Sequence, residues 1–228
     1  MNLLTDLSEL GKFDIILCMG VLHHLSEPSK GLANLYKILN DNGVIFLYLY
    51  GKLGGAARMT RKQILSMLLG SDITDYQKGI KLVKELKFDT FEYGWNLDYQ
   101  NEEERNSLIV DSFLHANEKL YDLDDIHELM SNTELYGYSI FGITRNQSGM
   151  LFDCRVGLDK TSTNSDLINS FVESPLGQYY YKYLGIRERC KLLELLYEPN
   201  GYTVIGLTKR AYEQLPEKSR VRYNLITL

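Results

Sequence analysis

Apolar and polar positions fall into blocks from the start of the chain. Phe13, Ile15, Ile16, Leu17 and Cys18 form a short, nearly continuous apolar run. Such a run suits a strand buried on both faces of a sheet, and periodicity alone leaves a buried helix open. Gly20 follows, where the backbone can turn sharply or approach a ligand closely. Ser26, Glu27 and Pro28 read as a helix start, with a capping hydroxyl, an acid in the first turn and a proline where no N–H is needed. Leu32, Leu35, Tyr36 and Leu39 then share one helix face. Asn40-Asp41-Asn42-Gly43 ends that helix, and residues 44–49 read as a second strand. The order is one βαβ unit, with parallel strands and a right-handed crossover.

Residues 56–132 read mainly as helix. Ile64, Leu65, Met67, Leu68 and Leu69 make one apolar cluster, and Ile80, Leu82, Val83 and Leu86 another. Asp122 caps a helix with Asp125 at N3, and Leu123, Ile126 and Met130 give its apolar face. Residues 138–143 and 150–156 read as a strand hairpin around Asn146-Gln147-Ser148-Gly149. Residues 161–166 are a polar linker. Beyond it, residues 167–197 read as helical, with Ile186, Cys190, Leu193 and Leu196 on one face, stopped by Pro199-Asn200-Gly201. Residues 202–207 and 222–228 read as strands around a short helix at 209–214. The expected organisation is a first domain over 1–158, with a helical insertion over about 52–132, and a C-terminal module over 165–228 whose order is that of a winged helix.

Composition narrows the classes. No apolar run approaches the roughly 20 residues that a membrane helix needs. Residues 1–12 mix acids with leucines and lack the pattern of a signal peptide. Cys18, Cys154 and Cys190 are scattered, as buried thiols of a reducing, cytoplasmic compartment would be. A net charge of -5 argues against a nucleic-acid binder. Charge is uneven: residues 52–87 hold eight Lys and Arg against three acids, read either as steering for an anionic substrate or as solvated helix faces.

The segment FDIILCMGVLHHL, followed by NDNGVIFLYLYG, resembles the class I S-adenosylmethionine-dependent methyltransferases over residues 13–51 and more weakly over 111–143. The resemblance implies an α/β fold: a partial Rossmann-like methyltransferase sheet (strands four to seven), a helical insertion and a small C-terminal α+β module. It implies S-adenosylmethionine as cofactor, if the complete fold is present. The family builds most of that site on earlier strands, with a Gly-rich turn and a ribose-binding acid, and only twelve residues precede Phe13. No G-x-G-x-x-G turn occurs in the chain, and Gly51-Lys52-Leu53-Gly54-Gly55 reads as a flexible strand-to-helix loop. The expectation is therefore an incomplete methyltransferase with little activity alone, or a noncatalytic binding or regulatory subunit that keeps the half-fold.

The same resemblance assigns candidates. Asn2, Met19, Gly20, Val21 and His24 are expected at the cofactor, and Tyr50 and Lys52 at an unknown methyl acceptor. His115 is the first candidate for a polar acceptor contact or base, because imidazole titrates near neutrality; a lone loop histidine is also commonly structural. Of His23 and His24, one is expected to line the cleft and the other to face the core or cap a backbone carbonyl. No third ligand stands at a metal-site spacing. Tyr93, Trp95 and Tyr99 form an aromatic loop, either a substrate lid or a pin to the core. Tyr179-Tyr180-Tyr181 read as packing residues. With strands missing, a homodimer or a partner chain supplying them is expected.

Overall fold

The computed structural model describes residues 2–89, 101–115, 117–144, 150–153 and 173–220. The expected aromatic loop of Tyr93, Trp95 and Tyr99, the turn at 146–149, Cys154, the linker at 161–166 and the strand at 222–228 lie outside these residues. The chain divides into two compact units, 1–54 with 119–228, and 55–118.

The first unit is built on a five-stranded sheet. In chain order its strands are β1 (Phe13–Met19), β2 (Leu39–Tyr50), β3 (Gly137–Thr144), β4 (Met150–Asp153) and β5 (Gly201–Leu207). The spatial order is β1-β2-β5-β3-β4. β1 and β2 are parallel, in register from Ile15 opposite Val44 to Met19 opposite Tyr48. Helix α1 (Pro28–Lys37) makes the crossover, so the expected βαβ unit is present. Its details differ from the pattern. The N-cap position is Glu27, without a side-chain cap, and not Ser26. Residues 40–43 do not form a free turn but belong to β2. They leave the ladder there: Phe13 opposes Leu39 and Ile15 opposes Val44, so two steps on β1 span five on β2.

The largest departure concerns β5. Its sequence reads as part of a separate C-terminal module, yet it pairs antiparallel with β2 from Val44–Leu207 to Tyr50–Gly201 and antiparallel with β3 on its other side. The hairpin of β3 and β4 is as expected, and β5 lies between it and β2. A strand with partners on both edges and Tyr202 and Val204 fully buried belongs to the sheet core, so the C-terminal segment is no independent winged-helix module.

One core covers one face of this sheet. Leu32 and Leu35 of α1 meet Ile45, Leu47 and Leu49 of β2, Val204 of β5, and Ile126 and Met130 of a helix at Leu123–Ser131. That helix, labelled α5 below, starts as the pattern demands, with a capping box between Asp122 and Asp125. Gly51 and Gly54 are not a flexible loop. Gly51 N–H donates to Asn200 O at 2.7 Å, and a Cβ on Gly51 would sit 2.1 Å from Pro199 O, so only glycine admits this contact.

The second unit holds α2 (Lys52–Leu69, mostly within it), α3 (Tyr76–Glu85), α4 (Glu102–Ile109) and a π-turn at Val110–Leu114. Leu65, Ile80, Val83, Ile109, Phe113 and Leu114 form its core. Of the first predicted cluster only Leu65 is fully buried; Ile64, Met67 and Leu68 are exposed. The basic run is largely engaged in ion pairs: Lys78 with Asp72, Lys84 with Glu102, and Arg58 and Lys62 with Glu118. Arg58 also donates to Ser112 O at 2.9 Å and Lys62 to His115 O at 3.0 Å.

Burial alone would raise the Glu118 carboxyl pKa, but hydrogen bonds and charge from Arg58 and Lys62 outweigh it and hold it below the ordinary glutamate value. A carboxylate lowered on folding stabilises above its unfolded pKa, and that contribution is lost as pH falls through the folded pKa. Glu118→Gln is therefore expected to lower stability at pH 7 by roughly 3 kcal/mol, with the gap to the parent closing in acid. Thermal melts from pH 7 to pH 3 check this; a gap independent of pH would contradict it.

Candidate functional site

Parallel strands gather ligands at their C-terminal ends, which here means the ends of β1 and β2. Met19 and Val21 are exposed there. Gly20 lies between them at φ +73°, with open space where a Cβ would stand. Only glycine takes this backbone without strain, and the opening leaves its main chain accessible. Gly20 N–H donates to Tyr48 O at 3.2 Å, which locks the end of β1 to β2.

A 3-10 turn, Leu22–His24, follows. His23 is fully buried and His24 half-buried. The His23 ring stacks on Tyr50, with centroids 3.9 Å apart. His24 stands edge-on to His23 at 4.2 Å, and Tyr48 edge-on to Tyr50 at 5.8 Å. This aromatic group floors the strand ends.

Residues 119–121 close the other side. Lys119 N–H donates to His23 O and Tyr121 N–H to Tyr50 O, both at 2.8 Å. Burial, with Asp125 adding, pushes the Tyr121 hydroxyl up to about 12, so it stays protonated. Nothing in the sequence pattern singles out this segment, because its placement depends on pairing with β2 some seventy residues earlier.

Lys52 stands at the same end, but its ammonium is committed: Nζ lies 3.1 Å from Asp122 and 3.5 Å from Asp125. The hydrogen bond it donates to Asp122 above all, with the charges of both carboxylates, raises its pKa. Asn2 lies at the start of the unit, where its Oδ1 accepts from Leu4 N–H at 3.0 Å and caps its own turn. Met19, Gly20, Val21, His24, Tyr50 and Lys52 are thus brought to one end of the sheet.

His115 belongs to the second unit. It lines a cavity of about 360 Å³ with Lys62, Gln63, Ser66, Tyr76 and Phe113. Its Nδ1 lies 2.8 Å from Asn117 O. A carbonyl only accepts, so Nδ1 carries the proton and Nε2 of the neutral ring is the basic nitrogen. A larger cavity, about 830 Å³, opens at the opposite end of the first unit's sheet, beside Lys12, Lys37, Asp41, Glu134 and Arg210. It lies away from the strand ends that carry the candidates. Among the described residues no group of His, Cys, Asp and Glu could hold a metal ion, and no helix is long and apolar enough to cross a membrane.

A family described as "Methyltransferase domain" matches residues 2–45, the span that forms β1, α1 and the start of β2. An uncharacterized protein of Synechococcus sp. is 29% identical over 139 residues, 58% of this chain and 33% of its own length. A tRNA U34 carboxymethyltransferase of Campylobacter jejuni subsp. doylei is 54% identical over 43 residues, 18% of this chain and 15% of its own length. The solved structure of PKMT2 from Rickettsia typhi superposes with a TM-score of 0.54 at 15% identity, over 95% of this chain and 39% of that one. Its complex with AdoHcy gives 0.56 at 14% identity, over 94% and 39%. The chain therefore spans a third or less of these two relatives and about two fifths of the solved structure. The methyltransferase-domain pattern covers β1, α1 and the start of β2, and the likeness to the Rickettsia structure shows that the described residues share its fold.

Proposed function

We propose that the ends of β1 and β2 form one wall of an S-adenosylmethionine site, and that the chain serves methyl transfer to an acceptor. The observation that carries this is Gly20, left-handed and open at the end of a parallel strand inside the matched family segment. Met19, Gly20, Val21 and His24 would face the cofactor, and Tyr50 and Lys52 the acceptor. Lys52 would act as a fixed charge, because its carboxylate partners hold it in place. His115 stays a separate candidate, a polar contact or base within the second unit's own cavity, with its Nδ1 2.8 Å from Asn117 O. The AdoHcy complex of the Rickettsia protein supports the choice of cofactor. Methyl transfer is an in-line displacement at a sulfonium, helped mainly by position and by removal of the acceptor's proton. Buried free thiols at Cys18 and Cys190 support a reducing, cytoplasmic setting.

The test is a chemical-shift titration of the labelled chain with millimolar S-adenosylhomocysteine. Amide shifts are expected at residues 19–24 and 50–52. Shifts confined to residues 179–196 would remove the assignment.

A further inference from the structure

The cavity of about 830 Å³ at the far end of the first unit's sheet shares no residue with the strand-end site. Its lip is residues 39–43, where β2 leaves the ladder with β1. Irregularities of this kind re-aim side chains and often border functional sites. Here the lip is tight and pinned. A Cβ on Gly43 would lie 2.8 Å from Asn40 O, so only glycine fits. The Thr208 hydroxyl donates to Asp41 O, and Gln214 Nε2 to Asn42 Oδ1 at 3.3 Å, which ties the lip to the short helix at Lys209–Glu213. The cavity is thus built into the fold, and its volume falls in the range of about 300–1,000 Å³ usual for small-molecule sites.

Its charges are the informative part. Lys37, Lys209 and Arg210 line it, all exposed, and among the described residues none of the three is in an ion pair. Lys37 reaches Asn34 Oδ1 at 3.4 Å and Lys209 the Tyr136 ring at 6.0 Å, neither of them a charge. Lys52, Arg58, Lys62, Lys78, Lys84 and Lys191, by contrast, each hold a carboxylate. Lys12 Nζ donates to Lys37 O and Leu39 O, and so offsets the negative C-terminal end of α1, which would otherwise repel an anion. Asp41, Glu134 and Glu213 line the same cavity. Burial, and then the charges of Glu134 and Asp41, raise the pKa of the Tyr36 hydroxyl in its wall, so that hydroxyl remains a donor at neutral pH.

We propose that this cavity binds a phosphate monoester carried on a small, hydroxyl-rich body: Lys37, Lys209 and Arg210 hold the phosphate, and Asp41 and Glu134 accept from the hydroxyls. Both sets of charges select this ligand. Cations that hold no carboxylate suit a phosphate, which a guanidinium meets through two parallel N–H bonds. Carboxylates only accept, so they favour a body that donates and count against a bare anion. The claim rests on the cavity alone and is independent of the methyl-transfer reading.

The test is an amide-shift titration of the labelled 228-residue chain with ribose 5-phosphate, glucose 6-phosphate and inorganic phosphate. None of these probes carries adenine or sulfur, so the strand ends at Gly20 do not compete for them. Saturable shifts at residues 37–43 and 208–213 are expected with the sugar phosphates, which should bind more tightly than inorganic phosphate. Arg210→Gln changes an exposed position, so the fold should tolerate it, and melting verifies that. It is expected to weaken the sugar phosphates about tenfold. Lys182→Gln, an exposed lysine outside the cavity, is expected to leave them unchanged. Glu134→Ala should lower the preference for sugar phosphate over inorganic phosphate by about tenfold, a ratio from which general repulsion cancels. No saturation at millimolar sugar phosphate, shifts confined to other residues, equal affinity for inorganic phosphate, or equal losses in the Arg210 and Lys182 variants would each overturn the proposal.

Discussion

Glu194→Ala is expected to lower the stability of the first unit by about 3–5 kcal/mol, the usual cost of removing one partner from a buried charged network. Glu194 sits on a helix at Ile186–Tyr197 and is fully buried. It accepts from Leu123 N–H at 2.7 Å and from the Tyr202 hydroxyl, and pairs with Lys191 at 2.6 Å. One carboxylate thus ties the first turn of α5, the inserted strand β5 and its own helix together. Its position at the start of α5 also complements the positive end of that helix. Alanine leaves a buried amide and a buried hydroxyl without partners. Against a typical total of about 5–15 kcal/mol, the melting temperature should fall by roughly 10 °C. Glu194→Gln keeps one acceptor and should lose less. An alanine variant that melts with the parent would show that the network does not hold β5 in the sheet.

The place of β5 is also where sequence reasoning fell short. The βαβ unit was legible because its signals are local: an apolar run, Gly20, Pro28 and a 3.6-residue face within some forty residues. The capping box at Asp122 and Asp125 was legible for the same reason. β5 was not, because its partner strand lies about 160 residues away in sequence and nothing in residues 201–207 names that partner. Glu194 was hidden too. The helix face at Cys190 and Leu193 is buried as the pattern predicts, but a glutamate next to it reads as solvent-facing until Tyr202 and Leu123 are seen around it. Tyr179 and Tyr180, which read as packing residues, are exposed. At the site, Gly20 and the histidine pair were visible. The commitment of Lys52 to Asp122 and Asp125 was not, because it joins elements seventy residues apart.

The second large effect concerns the cofactor. The described strand ends offer the open backbone at Gly20, the exposed Met19 and Val21, and an aromatic floor at His23 and Tyr50. They offer no glycine-rich turn. A ligand ordered by part of a contact set still bears the whole entropic cost of being held. Each missing hydrogen bond removes about 0.5–1.5 kcal/mol, and every 1.4 kcal/mol is about tenfold in affinity. Three or four missing bonds weaken a micromolar site to roughly millimolar. Titration calorimetry of the 228-residue chain with S-adenosylmethionine and S-adenosylhomocysteine measures this directly. The account predicts no saturable heat at ~100 μM ligand, the behaviour of a millimolar site. Saturation at micromolar ligand would contradict it, because the wall formed by β1 and β2 would then be a complete site on its own.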